Sequence, residues 1–156
     1  MINLDLILQY LLIFIMAATP WLEILVVIPL GIAIGLHPVY VGIVSFIGNF
    51  IPILLIIYLM NCFSKTNWYI KRKERSSSKK KGRNEKALRI FHKYGLPGLA
   101  FLGPLLTGIH LAAIIALSLH ADKTKTTIWM GISLIIWSVM ITISAFYSID
   151  WLTRWF

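Results

Sequence analysis

The sequence predicts an all-α integral membrane protein, and three observations support this fold class. Of its 156 residues, 58% are hydrophobic and only 13% are charged, and the mean hydropathy of +0.80 exceeds what a soluble chain of this length can bury. Twelve of the fifteen lysines and arginines lie between Lys65 and Lys93, separating two apolar arms. Because positive charge resists translocation, this basic segment is expected on the cytoplasmic side of a membrane.

The first arm, residues 1–63, is predicted to contain three helical segments, with breaks at Thr19-Pro20 and His37-Pro38. They are 4–19, 20–36 and 38–63. A full span needs about 20 residues, so the third segment is long enough and the first is marginal. The second is short and carries Pro29, which is expected to break it. We therefore expect this segment to be re-entrant, dipping into the membrane and returning.

The basic segment, residues 64–94, has no apolar periodicity in its centre, which is expected to be disordered. Apolar residues at helical spacing then predict a short interfacial helix over 85–94. Positive charge near a membrane surface attracts anionic lipid headgroups. The residues expected to make these contacts are Lys71, Arg72, Lys73, Arg75, Lys79, Lys80, Lys81 and Arg83.

The second arm, residues 95–156, repeats the plan of the first. A segment interrupted by Gly103-Pro104 and Thr107-Gly108, over 96–120, precedes an uninterrupted apolar stretch over 126–149. Paired broken segments of this kind are typical of the inverted repeats of transporters, and Ile28-Pro29-Leu30 aligns weakly with Gly103-Pro104-Leu105. The predicted fold is therefore two pseudo-repeats, each a broken or re-entrant segment followed by a transmembrane helix, plus an N-terminal helix, within a single membrane domain.

Glu23 is the first candidate for function, because it is the only acidic residue within the apolar body of either arm. A carboxylate at membrane depth is costly, and it is a candidate proton site. The alternative is structural. If Thr19 caps a helix whose first position is Pro20, Glu23 lies in the first turn, where negative charge is favoured.

Other residues near the breaks are candidates for a transport path. Pro29 frees a backbone carbonyl, which is tolerated where it lines a cavity, whereas Gly31 and Gly35 form a GxxxG pattern that favours helix packing. Asn49 either bridges helices or contacts substrate. Thr107 either lines the path or bonds to its own helix, and His110 either relays protons or packs. The complete candidate set is Glu23, Pro29, Gly31, Asn49, Pro104, Thr107, Gly108 and His110.

The sequence lacks the motifs of several chemistries. It has no phosphate-binding GxxxxGK[ST], no CxxC or HExxH and no GxSxG. It therefore predicts no enzyme, cofactor or metal, and transport would use a gradient or a partner. Nucleic acid is not an expected partner, because almost all of the net charge of +9 comes from one segment between membrane-like sequences.

Three groups of residues form a recognisable pattern: Glu23 with Ile28-Pro29-Leu30-Gly31, Gly48-Asn49 with Pro52, and Tyr94-Gly95 followed by Pro104 and Thr107-Gly108. Together they resemble the small multi-drug export protein family, which is similar in plan to the DedA/VTT superfamily. The chain departs from the family pattern in two places. It has no arginine shortly after Glu23, and it has Ile109-His110 where an aromatic residue is common.

The resemblance implies a multi-pass protein of a prokaryotic cytoplasmic membrane that exports small amphipathic compounds, coupled to protons or other ions. Two alternatives stay open: a DedA-like flippase for a lipid carrier such as undecaprenyl phosphate, and a non-transporting membrane adaptor that uses its basic segment. Membrane lipids and a small-molecule or lipid substrate are the expected partners. A homodimer is also expected, because one chain of this size encloses little volume.

Overall fold

The protein is helical throughout the part of the chain that the computed structural model describes, namely residues 4–20, 22–63 and 81–155. Six helices follow one another in that part, and it contains no strand. They are α1 (Leu4–Ala18), α2 (Ile24–Ala33), α3 (Pro38–Phe63), α4 (Lys81–Leu106), α5 (Ile109–Ser118) and α6 (Lys123–Trp155). The all-α prediction is confirmed.

Two of these helices are long and apolar enough to cross a membrane. The apolar stretches are Pro38–Leu59 in α3 and Lys123–Ile149 in α6, so both long segments predicted from the sequence are confirmed. The apolar helices α1, α2 and α5 contain 15, 10 and 10 residues. At about 1.5 Å per residue, each is too short to cross about 30 Å of hydrocarbon alone.

The chain forms two compact units, residues 1–52 with 132–156 and residues 53–131. In the first unit, α1 and α2 pack together, and Ile13, Ile28 and Val41 are buried. In the second, α4 packs against α5, and a Cβ built on Gly103 would lie 2.9 Å from the Cβ of Ala112. A glycine at position 103 therefore allows the two helices to approach closely.

A left-handed residue ends both ten-residue helices. Gly35 has φ 88° and His120 has φ 62°. After α2, the Leu36 N–H donates to the Gly31 carbonyl at 3.1 Å, and after α5 the Ala121 N–H donates to the Ala116 carbonyl at 3.1 Å. These are the bonds of a Schellman C-cap, which satisfies carbonyls left over at a helix end.

The same order of elements thus occurs twice: a ten-residue helix, a left-handed cap and a long helix. Corresponding points are separated by the same interval of 85 residues, from 24 to 109, from 35 to 120 and from 38 to 123. The weak alignment of Pro29 with Pro104 is therefore wrong, because Pro29 lies inside the short helix α2 and Pro104 lies in α4, before the second short helix begins.

The predicted breaks at Thr19-Pro20 and His37-Pro38 are confirmed, whereas those at Pro29 and Gly103-Pro104 are wrong. The helix α2 continues through Pro29, and α4 continues through Pro104 to Leu106. At each of these two prolines the helix keeps its turn with one backbone donor missing, which helices in membranes tolerate when neighbouring groups compensate. The interruption at Thr107-Gly108 is confirmed, since α4 ends before it and α5 begins after it.

Two other boundaries differ from expectation. The helix predicted over 85–94 begins earlier, at Lys81, and is continuous with the 96–106 region except for a kink at Gly95 (φ 67°, ψ −162°). At the start of α2, Thr19 is not the cap, because its Oγ1 donates to the Met16 carbonyl at 2.7 Å and closes α1 instead. The helix α2 begins at Ile24, with Glu23 as its N-cap.

Candidate functional site

Helices α3 and α6 meet closely in the first unit at Gly42. The Ser138 Oγ donates a hydrogen bond of 3.0 Å to the Gly42 carbonyl oxygen. A Cβ built on Gly42 would lie 2.7 Å from the Thr142 Oγ1, so only glycine fits without displacement. Small residues and interhelical hydrogen bonds of this kind drive helix association in lipid.

An apolar groove of about 380 Å³ lies beside this contact, within the first unit. Its walls are aliphatic and aromatic side chains from both helices, and its lining contains no charged residue. The lining residues are Val39, Gly42, Ile43, Phe46, Ile135, Ser138, Val139, Thr142 and Ile143. Its volume falls within the range of small-molecule sites, which are mostly apolar with a few polar groups.

Two polar side chains of α3 are completely buried nearby in sequence, one and two turns beyond Gly42. Ser45 and Asn49 are both 0% exposed. The Ser45 Oγ and both the Oδ1 and Nδ2 atoms of Asn49 have no hydrogen-bond partner among the described residues. The interhelical bridge expected as one role of Asn49 is therefore not formed within the described part of the chain.

Glycines position α3 against the two helices that precede it. A Cβ on Gly48 would lie 2.6 Å from the Phe14 carbonyl oxygen of α1. A Cβ on Gly31 of α2 would lie 2.7 Å from the Val41 Cγ1 of α3. Gly31 therefore serves close packing, as one reading of the GxxxG pattern predicted, whereas Gly35 has nothing within 4 Å and serves the turn.

Glu23 is half-buried at the start of α2. Its backbone is extended (φ −74°, ψ 171°), its side chain makes no capping hydrogen bond, and its carbonyl accepts the Val26 N–H at 2.9 Å. The carboxylate is thus placed at the N-terminus of a short helix, where the helix dipole favours negative charge. Pro29 follows one and a half turns later, inside the same helix.

Aromatic residues surround the beginning of α3. The His37 N–H donates to the Tyr10 hydroxyl at 3.2 Å, the His37 and Tyr40 rings are 5.0 Å apart, and the Tyr10 and Tyr40 rings meet edge to face at 6.3 Å. Tyr40 is exposed. Aromatic residues with polar tips are typical of the membrane–water interface.

The candidates of the second arm lie around the break between α4 and α5. The Thr107 Oγ1 lies 3.5 Å from the Gly103 carbonyl oxygen and 3.4 Å from the Gly108 carbonyl oxygen, so its hydroxyl bonds to the backbone next to it, as one reading predicted. Gly108 (φ 87°) is the N-cap of α5, and His110 is buried in the first turn of α5. Pro104 lies in the last turn of α4.

The structure groups the predicted path residues by unit: Glu23, Pro29, Gly31 and Asn49 in the first, and Pro104, Thr107, Gly108 and His110 in the second. Most of the predicted headgroup contacts lie outside the described residues: Lys71, Arg72, Lys73, Arg75, Lys79 and Lys80. Lys81 and Arg83 lie in the first turn of α4.

Sequence reasoning missed the small and polar residues of the α3–α6 contact, namely Gly42, Ser138 and Thr142, and it missed the buried Ser45 of α3. A signal for them was present. Gly42, Ser45 and Asn49 recur at helical spacing in an apolar helix, and Ser138 and Thr142 are one turn apart in another. Small and polar residues at such spacing mark helix interfaces in membranes.

The two membrane-length helices, the exposed apolar side chains along them and the small polar contact between them define an all-α membrane protein. Residues 23–140 match the family model described as "Putative small multi-drug export protein". This match covers more than half of the chain, so the protein belongs to that family. No curated protein and no solved structure matches it.

Proposed function

We propose that this protein exports small amphipathic compounds across the cytoplasmic membrane of a prokaryote. The observation that carries the proposal is the apolar groove between α3 and α6, which lies along the two helices that are long enough to span the membrane. Membership of the export family supports the same function.

The chemistry of the groove favours an uncharged or weakly polar body. Val39, Ile43, Phe46 and Val139 offer dispersion contacts, and no charged side chain lines the groove. An apolar compound gains from leaving water for such a surface, whereas a charge would lose hydration without compensation. The groove therefore suits the hydrophobic part of an amphipathic molecule.

A groove-filling substitution tests this proposal. Val139→Trp introduces a large ring into the lining, and Met140→Trp places the same ring next to it, at a residue of similar exposure (53% and 50%) that is not part of the lining. Purified protein in proteoliposomes is assayed for efflux of a lipophilic dye. We expect Val139→Trp to lower the rate at least about fivefold, because the ring occupies space in the groove that the dye would enter, and Met140→Trp to change it little. Equal rates for the two variants would contradict the proposal.

Coupling to protons is part of the proposal, with Glu23 as the proton site. An ionisable residue within an apolar membrane segment is a functional candidate by default. Glu23 lies between the apolar helices α1 and α2, at the start of α2. Glu23→Gln should abolish dye accumulation driven by a pH gradient and retain downhill equilibration. Asp122→Asn is the control, because the Asp122 Oδ1 accepts the Lys125 N–H at 2.9 Å at a helix start and an amide oxygen can accept the same bond. Gradient-driven accumulation by Glu23→Gln at the wild-type rate would remove the proton site.

We further propose that the short helices are re-entrant. Because α2 is one ten-residue helix, the re-entrant element of the first arm must include α1, and that of the second arm consists of residues 96–106 with α5. Each pair of short helices, joined by a break, can enter a leaflet and return to the same side. Such elements place helix ends and broken backbone at membrane depth, which is how many transporters build their sites.

We also propose three partners: anionic lipid headgroups, lipid chains and a second copy of the protein. The basic segment places its lysines and arginines against anionic headgroups of the cytoplasmic leaflet. Lipid covers the exposed apolar side chains of α3 and α6, such as Ile47 and Ile132. A homodimer would add the enclosed volume that one chain of 156 residues lacks.

A further inference from the structure

Ser45 and Asn49 form a pair of buried polar groups on one face of α3. Residues four apart in a helix have Cβ atoms about 5–6 Å apart, so a single small group can contact both side chains. Both residues are 0% exposed, and neither has a hydrogen-bond partner among the residues that the structure describes. We call them the Ser45–Asn49 pair.

The backbone next to the pair offers a further acceptor. In an α-helix, the Gly48 carbonyl accepts from the N–H four residues later, which is position 52. Pro52 lies inside α3 and has no N–H to donate. The Gly48 carbonyl therefore lacks the donor that residue 52 normally supplies, and the pair itself adds the unmet donors and acceptors of the Ser45 hydroxyl and the Asn49 amide.

Helix α1 covers this part of α3. A Cβ on Gly48 would lie 2.6 Å from the Phe14 carbonyl oxygen and 3.1 Å from the Ala17 Cβ. The two backbones approach so closely that nothing larger than hydrogen fits at position 48. Both side chains of the pair are completely covered, and α1, which packs on the residue next to Asn49, is the helix whose movement could expose them.

The donors and acceptors of the Ser45–Asn49 pair determine which chemical groups could bind to it. A bare cation would pair with the oxygen atoms and leave the Asn49 Nδ2 hydrogens unpaired. An anion would accept from those hydrogens and leave the Asn49 Oδ1 unpaired. A hydroxyl or carboxamide group both donates and accepts, so it satisfies both side chains. Buried polar groups without partners are unfavourable, and a ligand or water that pairs with them removes this penalty.

We propose that the Ser45–Asn49 pair is the polar recognition point of the exporter, which binds an uncharged hydroxyl or carboxamide group of the transported compound when α1 withdraws. This inference rests on the proposed function and names its substrate class: neutral amphipathic compounds that carry an alcohol or amide, with water in the same place when no compound is bound.

The first test uses four probes with one hexyl chain: hexanol, hexanamide, hexylammonium and hexanoate. Binding to purified protein in nanodiscs is followed by tryptophan fluorescence and by the shift of the melting temperature. We expect the neutral probes to bind at least about tenfold more tightly than the charged ones, the ratio set by roughly 1.4 kcal/mol. Charged probes that bind as well as neutral ones would overturn the proposal.

Substitution separates recognition from a structural role. Asn49→Leu replaces the amide with an apolar side chain of similar size. Because no unpaired polar group is then buried, the melting temperature should stay the same or rise, while hexanamide binding weakens about tenfold. Ser45→Ala should also weaken hexanamide binding, by a smaller factor. It replaces Asn49→Leu in this test if that variant does not fold. The matched control is Thr126→Val, which removes a buried hydroxyl that donates to the Asp122 carbonyl at 2.8 Å, away from the groove and the pair. It should lower the melting temperature and leave binding unchanged.

The opposite pattern would overturn the inference: a lower melting temperature for both Asn49→Leu and Ser45→Ala with unchanged binding means that the pair is structural. The dye assay with Val139→Trp is independent of this result. Export that is sensitive to the groove but indifferent to Asn49→Leu would refute the recognition point and leave the proposed function standing.

Accessibility tests the covering by α1. In a Cys62→Ser background, a thiol introduced by Ala17→Cys, on the buried face of α1 that packs on Gly48, should react slowly with a small maleimide and faster when hexanamide is present. Adding Gly48→Ala, whose methyl group would press on the Phe14 carbonyl, should raise the rate at least about threefold by displacing α1. A rate that neither hexanamide nor Gly48→Ala changes would contradict the proposed opening.

Discussion

The Ser138 Oγ donates to the Gly42 carbonyl oxygen at 3.0 Å, across 96 residues of sequence. The bond joins α3 to α6 within the first unit, where Gly42 has no side chain to separate the helices. It is a long-range hydrogen bond between two helices of membrane length, in a place where water cannot easily substitute for it. The contact also borders the apolar groove, so its geometry affects both stability and the proposed path.

Ser138→Ala should lower stability modestly, by about 0.5–1 kcal/mol, because hydrogen bonds between helices in membranes contribute about 0.6 kcal/mol on average. The measurement is reversible unfolding in mixed micelles. Ser144→Ala is the control, since Ser144 is exposed in the same helix. If the two variants lose equal stability, the bond to Gly42 contributes nothing.

Gly42→Ala should be destabilising by about 1–3 kcal/mol, the usual cost of overpacking. The added Cβ would lie 2.7 Å from the Thr142 Oγ1 but 3.7 Å from the Thr142 Cβ. Removing the hydroxyl with Thr142→Ala should therefore rescue Gly42→Ala, and a double-mutant cycle should give a coupling of about 1 kcal/mol or more. Additive effects would mean that the clash does not occur at Thr142.

The long helices were predictable from the sequence because length and hydropathy are local properties. Pro38 and the polar residues at Asp122–Lys125 mark where α3 and α6 begin, and both helices appear there. Two other prolines misled the prediction. Pro29 and Pro104 each remove one donor, yet helices α2 and α4 continue through them, because the remaining turns and the surrounding packing hold the backbone.

The α3–α6 contact was not predicted because it depends on which helix faces meet. Gly42 and Ser138 are unremarkable one at a time, and only their approach in space gives them a role. Asn49 was recognised from the sequence because an amide in an apolar run is conspicuous, whereas the burial of Ser45 on the same face required the structure. Local patterns thus indicated individual residues, and tertiary packing determined the site.

Gly35 and His120 occupy corresponding left-handed caps, and substitutions at these two positions should change stability in opposite directions. Gly35→Ala should destabilise by about 1 kcal/mol, because an added Cβ disfavours positive φ while nothing lies within 4 Å to clash. His120→Gly should stabilise, by up to about 1 kcal/mol, since His120 already has φ 62°. Unfolding of both variants in the same micelles measures the difference. A change of the same sign at both positions would contradict an equivalent role for the two caps.

The proposed re-entrant arrangement predicts the side of the membrane on which α6 begins. If residues 96–106 and α5 enter and return, Lys125 lies on the cytoplasmic side with the basic segment, as the positive-inside rule favours. In a Cys62→Ser background, a thiol introduced by Lys125→Cys should not react with an impermeant maleimide added outside intact cells, but it should react after the cells are opened. The substitution keeps the helix start intact, because Asp122 accepts the backbone N–H of residue 125 rather than its side chain.

Two further positions calibrate that experiment. His37→Cys, at the start of α3, should react from outside, because α3 leads from there to the basic segment, and Ser77→Cys, within the basic segment, should react only after opening. Labelling of position 125 from outside, with position 77 protected, would mean that residues 96–120 cross the membrane once. The second short helix would then be part of a span, and the opposed re-entrant arrangement would be refuted while the α3–α6 groove and its export assay would stand.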